Sequence, residues 1–339
     1  MQQIIIIAEA GVNHNGSLQL AYGLIDKAAE AGADYVKFQT FIPSRLVSFH
    51  APKAEYQARN TDGHASSQQS MLEQLALTFS DFKSLQQYCL KKGIGFLSTG
   101  FDEESVRFID GLGVDFHKIP SGEITNKPYL ELIGSLGKPV IVSTGMATLD
   151  EVAAALEILY GQGLTKNMIT LLHCTTEYPA PASEVNLKAI ETMRSTFDLP
   201  AGYSDHTAGI LIPLAAAAMG ACMIEKHFTT SRQLPGPDHK ASLEPAELTE
   251  MVKNIRLIEQ ALGDGIKKPT ASEIKNIAVA RRSIHLINKL PEGHIISHND
   301  LIMKRPGTGI SPMQIDAVIG KTLKTGLDQD SMLLWEHLV

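Results

Sequence analysis

Apolar residues follow two alternating rhythms along this chain. Short, dense runs rich in β-branched residues are separated by longer stretches in which apolar positions recur every third or fourth residue. The dense runs are IIIIAEAG from Ile4, DYVKFQT from Asp34, GFLSTG from Gly95, DFHKIPSGE from Asp115, PVIVSTG from Pro139, ITLLHCTTEY from Ile169, AGYSDHT from Ala201 and CMIEKHF from Cys222. Between them lie segments of helical period such as LQLAYGLIDKAAEAG, SDFKSLQQYCLKKG, LDEVAAALEILYGQG and ILIPLAAAAMG, each closed by the glycine that commonly stops a helix. Eight such strand and helix units predict a parallel α/β architecture, the (β/α)8 or TIM barrel, over residues 1–263, with EPAELTEMVKNIRLIEQALG as the last helix. Residues 42–78 are polar and too long for an ordinary connection, which predicts a lid over the barrel mouth. Beyond a linker at 264–282, residues 283–339 change to short strand-like pieces with turns at PEG, RPGTG and GLDQD, a separate small β-rich module.

Composition narrows the function classes. The chain has 339 residues, 44% of them hydrophobic, enough for one large domain and a small one. A net charge of -7 without a basic block argues against a nucleic-acid surface or a binder of anionic membranes. The three cysteines lack C-x-x-C spacing, so neither a disulfide framework nor a structural zinc site is expected, and a reducing cytoplasm suits them. The first apolar run is cut by Glu9, too early for a signal peptide, and no later run reaches the length of a membrane span.

Candidate chemistry gathers where the dense runs end, the face on which such barrels build their sites. His206 and His227 close the seventh and eighth runs, so two imidazoles on neighbouring strands could share one divalent cation and leave coordination positions for a substrate oxygen. Glu225 is placed to orient a bound water. Lys37 and Gln39 end the second run, Ser98 and Thr99 the third, Lys118, Ser121 and Glu123 the fourth, Ser143 and Thr144 the fifth, Thr176 and Tyr178 the sixth. Two lysines and several hydroxyls around one mouth describe a phosphate or carboxylate pocket. Glu9 and Glu123 are the candidate proton-transfer carboxylates.

The ordered motifs AEAGVNHNG, VKFQTF, KAEYQ, KIPSGE, STGMAT, LLHCTTEYPAP, GYSDHT, EKHFT, GPDHKASLEP and KRPGTGISP cover almost the whole chain and resemble the bacterial sialic acid synthases. The resemblance implies a catalytic barrel joined to a C-terminal antifreeze-like (SAF) domain. It implies a divalent metal, Mn2+ with Mg2+ or Co2+ as alternatives, on His206 and His227. Lys37, Thr99, Lys118, Ser121, Ser143, Thr176 and Ser204 would hold phosphoenolpyruvate. Gln39, Tyr178 and Asp238 would contact an N-acylated hexosamine, with Arg305 reaching its N-acyl group from the partner chain of a domain-swapped homodimer. Thr176 stands where some relatives carry asparagine, and Gly100 where the commoner sequence has proline. The implied reaction is metal-assisted condensation with C–O cleavage and release of phosphate, through Glu9 or Glu123 as proton handler. N-acetylmannosamine, giving N-acetylneuraminate, is the expected sugar. The 6-deoxy diacetamido sugar that gives legionaminate is the alternative. A 3-deoxy sugar acid synthase and a non-catalytic glycan-binding protein are more distant readings.

Overall fold

The dense apolar runs become strands buried on both faces, as a parallel sheet covered by helices requires. A computed structural model of the chain describes residues 3–48, 51–52 and 67–339. The strands are β1 (Ile5–Gly11), β2 (Tyr35–Thr40), β3 (Gly95–Gly100), β4 (His117–Ile119), β5 (Val140–Ser143), β6 (Ile169–Cys174), β7 (Ala201–Asp205) and β8 (Met223–His227). All pair in parallel, in the order β3-β2-β1-β8-β7-β6-β5-β4, a nearly closed eight-stranded barrel whose seam lies between β3 and β4. Ile6, Ile7 and Ala8 are fully buried in succession, so β1 reads as a continuous apolar run instead of an alternating one. The fourth run yields a shorter strand than its sequence suggests. Pro120 follows Ile119, and Ser121–Glu123 turn into a 3-10 helix that carries its polar residues over the mouth.

Local signals set the helices. Leu18–Ala31 starts at Ser17, whose side chain accepts from the Leu20 amide, and ends at Gly32 in the left-handed region. Leu149–Gly161 opens with a reciprocal capping box between Thr148 and Glu151. Their apolar faces cover the sheet: Leu24, Ile25 and Ala28 from the first, Val152, Leu156 and Leu159 from the second.

Of the expected lid, the described parts are a short helical turn, Pro43–Leu46, and the helix Gln68–Leu75. Met71, Leu72 and Leu75 pack with Val12 and Phe41 in an apolar cluster separate from the barrel core. Residues 49–50 and 53–66 of that segment, with the KAEYQ motif, lie outside the described residues.

The chain divides into two compact units, Met1–Asp264 and Gly265–Val339. The expected linker needs correction, because Ala271–Ala280 is a helix opened by a Thr270 and Glu273 capping box, a signature readable in TASE. It belongs to the second unit, where the Gly307 amide donates to the Ala278 carbonyl over 2.7 Å. That unit also holds an antiparallel pair, β9 (Ser283–Leu286) and β10 (Leu301–Lys304), over a small core that includes Ile284, Leu286, Ile296, Val318 and Leu333.

Two glycines test how tightly the barrel is packed. At Gly202 in β7 an added Cβ would lie 2.4 Å from the Met223 carbonyl oxygen and 2.7 Å from Leu172 Cδ2, whereas at Gly23, inside the helix Leu18–Ala31, it would meet nothing within 4 Å. Gly202→Ala should therefore lose about 1–3 kcal/mol of stability, and Gly23→Ala should gain up to about 1 kcal/mol from helix propensity. Thermal unfolding of both variants checks this; equal shifts would mean the close approach in β7 is relieved without cost.

Candidate active site

Because side chains alternate along a strand, every second residue at the carboxyl ends of the strands projects into the barrel mouth. Glu9 of β1 lies in register with Lys37 of β2, and Ser204 of β7 with Glu225 of β8. These residues surround a cavity of about 480 Å³ also lined by Gln39, Thr99, Lys118, Ser121, Glu123, Ser143, Thr176, Tyr178, His206, His227 and Asp238. Thus all the barrel residues to which the resemblance assigns a role line one pocket. Ser98 and Thr144, also singled out from the strand ends, do not: Ser98 bonds Thr40 Oγ1 over 2.7 Å and Thr144 donates to the Leu172 carbonyl over 3.0 Å, as their alternate phase dictates.

The floor of the pocket is a buried network of alternating charge. Lys37 Nζ sits 2.7 Å from Glu9 Oε2 and 3.7 Å from Glu225 Oε2. It also donates to Thr99 Oγ1 over 3.1 Å. Lys118 Nζ donates to both oxygens of Glu225, at 2.9 and 3.0 Å, and Ser204 Oγ donates to the same carboxylate at 3.1 Å. Burial opposes the Glu225 charge, but Lys118 and Lys37 outweigh it and hold the carboxyl down to about 2. Glu225 is therefore a counter-ion for both lysines. Burial dominates at Glu9 instead, pushing its carboxyl up to about 7 against the pull of Lys37. Burial also works against the Lys37 charge, yet Glu225 and Glu9 hold its pKa above the ordinary lysine value; at Lys118 burial prevails and the value falls. Gln39 Nε2 donates to Glu9 Oε1 over 3.2 Å.

Above this floor stand the two histidines, with ring centroids 5.4 Å apart. Tyr178 packs against both, at 4.1 Å from the His206 ring and 5.6 Å from the His227 ring. Burial pushes His206 down to about 4 and His227 well below its usual range, so both rings are neutral. His206 Nδ1 bonds the Thr175 carbonyl, which leaves Nε2 as the free lone pair. His227 Nδ1 is buried with no hydrogen-bond partner among the described residues. Neutral imidazoles, one held from behind by a backbone carbonyl, suit a first-row divalent ion. No set of three histidine, cysteine or carboxylate ligands occurs among the described residues.

Other positions refine the pocket. Ser143 Oγ is buried without a partner among the described residues and faces the cavity. Glu123 is half-buried and accepts from Asn126 Nδ2 over 2.6 Å, farther from the charged floor than Glu9 in its bonding. Asp238 is buried, which pushes its carboxyl up to about 6. Arg305 lies in the second unit, exposed, its Nε donating to the Ala280 carbonyl over 3.0 Å. Sequence reasoning missed Cys174, whose Sγ is 3.0 Å from Ser121 Oγ, and the Gly145 amide, which donates to that hydroxyl over 3.0 Å. Cys174 lies two residues before Thr176, a phase that could have flagged it. It also missed the apolar wall of Val12, Phe41, Met71, Leu72 and Leu75, which no strand-end pattern announces.

A (β/α)8 barrel with two buried lysines and a histidine pair in one pocket at the carboxyl ends of its strands defines the class. The chain belongs to the NeuB family, the sialic acid synthases, whose profile matches residues 24–267, and a SAF domain matches residues 281–339. It is 50% identical to an N,N'-diacetyllegionaminic acid synthase of Campylobacter jejuni, over 98% of this chain and 99% of that one. It is 51% identical to the enzyme of the same name from Legionella pneumophila, over 98% of this chain and 94% of that one. Among solved structures, the N-acetylneuraminic acid (sialic acid) synthetase of Leptospira borgpetersenii in complex with citrate matches with a TM-score of 0.71 and 36% identity, covering 81% of this chain and 90% of that one. No helix among the described residues is long and apolar enough to cross a membrane.

The position of Glu9 has a consequence for stability. Its carboxyl rises from 4.5 to about 7 on folding. A raised acid contributes stability that is fully present below its unfolded value and is lost as pH rises through its folded value. Wild type should therefore lose stability relative to Glu9→Gln between about pH 5 and about pH 7.5. Denaturant unfolding at both values measures it, and parallel pH profiles would show that Glu9 is already ionised at the lower value.

Proposed function

We propose that this protein is an N,N'-diacetyllegionaminate synthase, condensing phosphoenolpyruvate with 2,4-diacetamido-2,4,6-trideoxymannose to give the nine-carbon sugar acid and phosphate. What carries the choice of sugar is the identity of 50% and 51%, nearly end to end, to two proteins named for that product. The preference for N-acetylmannosamine drawn from motifs gives way to it, since those motifs are common to both kinds of relative. The apolar wall offered by Phe41, Met71, Leu72 and Leu75 also suits a sugar that carries a methyl group in place of a hydroxymethyl.

In this reading Lys37 and Lys118 hold the phosphate and carboxylate of phosphoenolpyruvate, aided by Thr99, Ser121, Ser143, Thr176 and Ser204. Gln39, Tyr178 and Asp238 orient the open-chain sugar. His206 and His227 would hold a divalent cation, Mn2+ by preference. When bound, the cation supplies Lewis acidity that polarises a carbonyl oxygen. C3 of phosphoenolpyruvate attacks the aldehyde carbon, the aldehyde oxygen takes up a proton, and water adds at C2 with loss of a proton. The tetrahedral carbon then expels phosphate by C–O cleavage as its hydroxyl gives up a proton to become the C2 carbonyl and the departing phosphate takes one up, with the two lysines stabilising the departing charge. Glu9 is the better placed of the two carboxylates to move these protons, because a carboxyl near pKa 7 gives and takes a proton at neutral pH.

Purified protein with Mn2+ and phosphoenolpyruvate should release phosphate with either sugar, with kcat/KM higher for the diacetamido trideoxy sugar by roughly tenfold or more. Chelation should abolish both reactions. Preference for N-acetylmannosamine would overturn the choice of sugar, and turnover after chelation would overturn the metal.

The assignment of Arg305 to the partner chain's site is tested by mixing. Arg305→Ala and His206→Ala homodimers should each be nearly inactive, and random exchange should restore about a quarter of wild-type activity if the arginine acts in trans. No recovery after exchange, confirmed by mass, would refute the swapped dimer.

A further inference from the structure

Behind the two histidines lies a buried ion pair that the proposed reaction leaves unused. Asp205 and Lys226 are register partners on β7 and β8, and both side chains are fully buried. Their phase is opposite to that of Ser204, His206, Glu225 and His227, so they point away from the mouth toward the helix layer. Lys226 Nζ lies 2.6 Å from Asp205 Oδ2 and donates a second bond to the Thr207 carbonyl. Thr207 returns two more: its amide donates to Asp205 Oδ1 over 2.9 Å and its hydroxyl to Oδ2 over 3.1 Å.

The position of these bonds matters more than their number. The register of β7 with β8 ends at Asp205 and Lys226, one residue before each histidine. The next link across the gap is the Lys226 side chain, which reaches past His206 to the carbonyl of Thr207. His206 is further tied by its ring to the Thr175 carbonyl and by its own carbonyl to the Ala180 amide, at 2.9 Å. The His227 ring has a buried Nδ1 with no hydrogen-bond partner among the described residues; its backbone is held on the β1 side, in register with Glu9 and with its carbonyl accepting from the Leu243 amide over 2.9 Å, which leaves the β7 side of the β8 end to the Lys226 side chain. A buried ion pair is a poor device for stability alone, because well-packed apolar residues of similar size usually serve as well.

We propose that Asp205 and Lys226 are positioning residues that fix the separation of His206 and His227, clamping the two strand ends so that both imidazoles reach one cation. The proposal rests on the reading of the histidine pair as a metal site, and the test keeps the two apart. Mn2+ binding to metal-free protein is followed by the electron paramagnetic resonance of free Mn2+, alongside thermal unfolding and phosphoenolpyruvate binding without metal. Wild type should bind Mn2+ and His227→Ala should not; equal binding by the two would sink the metal site itself. The double variant Asp205→Leu with Lys226→Met removes both charges together. Lys226→Arg keeps the charge but carries a larger planar head group that cannot occupy the same seat. Each should remain folded and bind phosphoenolpyruvate within about twofold of wild type, with Mn2+ affinity weakened about 10-fold to 100-fold. Mn2+ affinity within about twofold of wild type in either folded variant would overturn the clamp. Failure of both variants to fold would overturn it equally, by assigning the pair to folding.

Discussion

The barrel mouth is organised by the cost of burying charge. Lys37, Lys118, Glu9 and Glu225 are each at most 5% exposed and sit within one hydrogen-bonded patch. An isolated ion there would be expelled or neutralised. Glu225 is shared between the two lysines and stays charged because it has both. Glu9 is left as the member whose burial outweighs its partner, and so the one that exchanges a proton near neutrality. One set of constraints thus produces both features that the proposed function uses, a floor of ammonium groups and a carboxyl that titrates near neutrality. An arriving trianion would have to compete with Glu9 and Glu225 for the same ammonium groups, which favours groups that can shed negative charge by taking up a proton.

The alternation of strands and helices was legible throughout the barrel, because burial on both faces imposes continuous apolar runs that no other element of this length requires. All eight strands coincide with dense runs, including β1 and β8, which close against each other. Legibility failed where a local signal was outvoted by composition. The stretch before Ser283 looked like a linker for its glycines and lysines, although Thr270 and Glu273 already spelled a helix start. It failed also at Pro120, where a strand pattern continued but the chain could not.

Within the site, residue type and strand phase together were enough for the lysines, the histidines and Glu9. Type without phase was not: Ser98 and Thr144 are the right kind of residue on the wrong side of the pleat. Glu225 was found by position without its partners, since a sequence shows that a carboxylate faces the mouth and not that two ammonium groups bond it. Partnership is a three-dimensional property, and the roles that depend on it were the ones missed. Asp205 and Lys226 are the extreme case, adjacent in sequence to both histidines yet silent until the register joins them.

The division between strand ends and connecting segments bears on how such a barrel changes substrate. The reacting carbons need lysines, hydroxyls and imidazoles at fixed separations, and strands supply these because their spacing is set by the hydrogen-bond ladder. The two candidate sugars share that reacting end and differ at carbons remote from it. Discrimination between them must therefore come from the part of the cavity wall that the ladder does not build. Among the described residues that part of the wall includes Phe41, which follows β2, Met71, Leu72 and Leu75, on a helix inserted before β3, and Tyr178 and Asp238, which follow β6 and β8. Connecting segments tolerate substitution far better than a barrel core does. A substitution in that wall can thus alter the choice of sugar while the charged floor remains unchanged, which is why the lysines, hydroxyls and imidazoles of the strand ends point to the reaction and leave the sugar open.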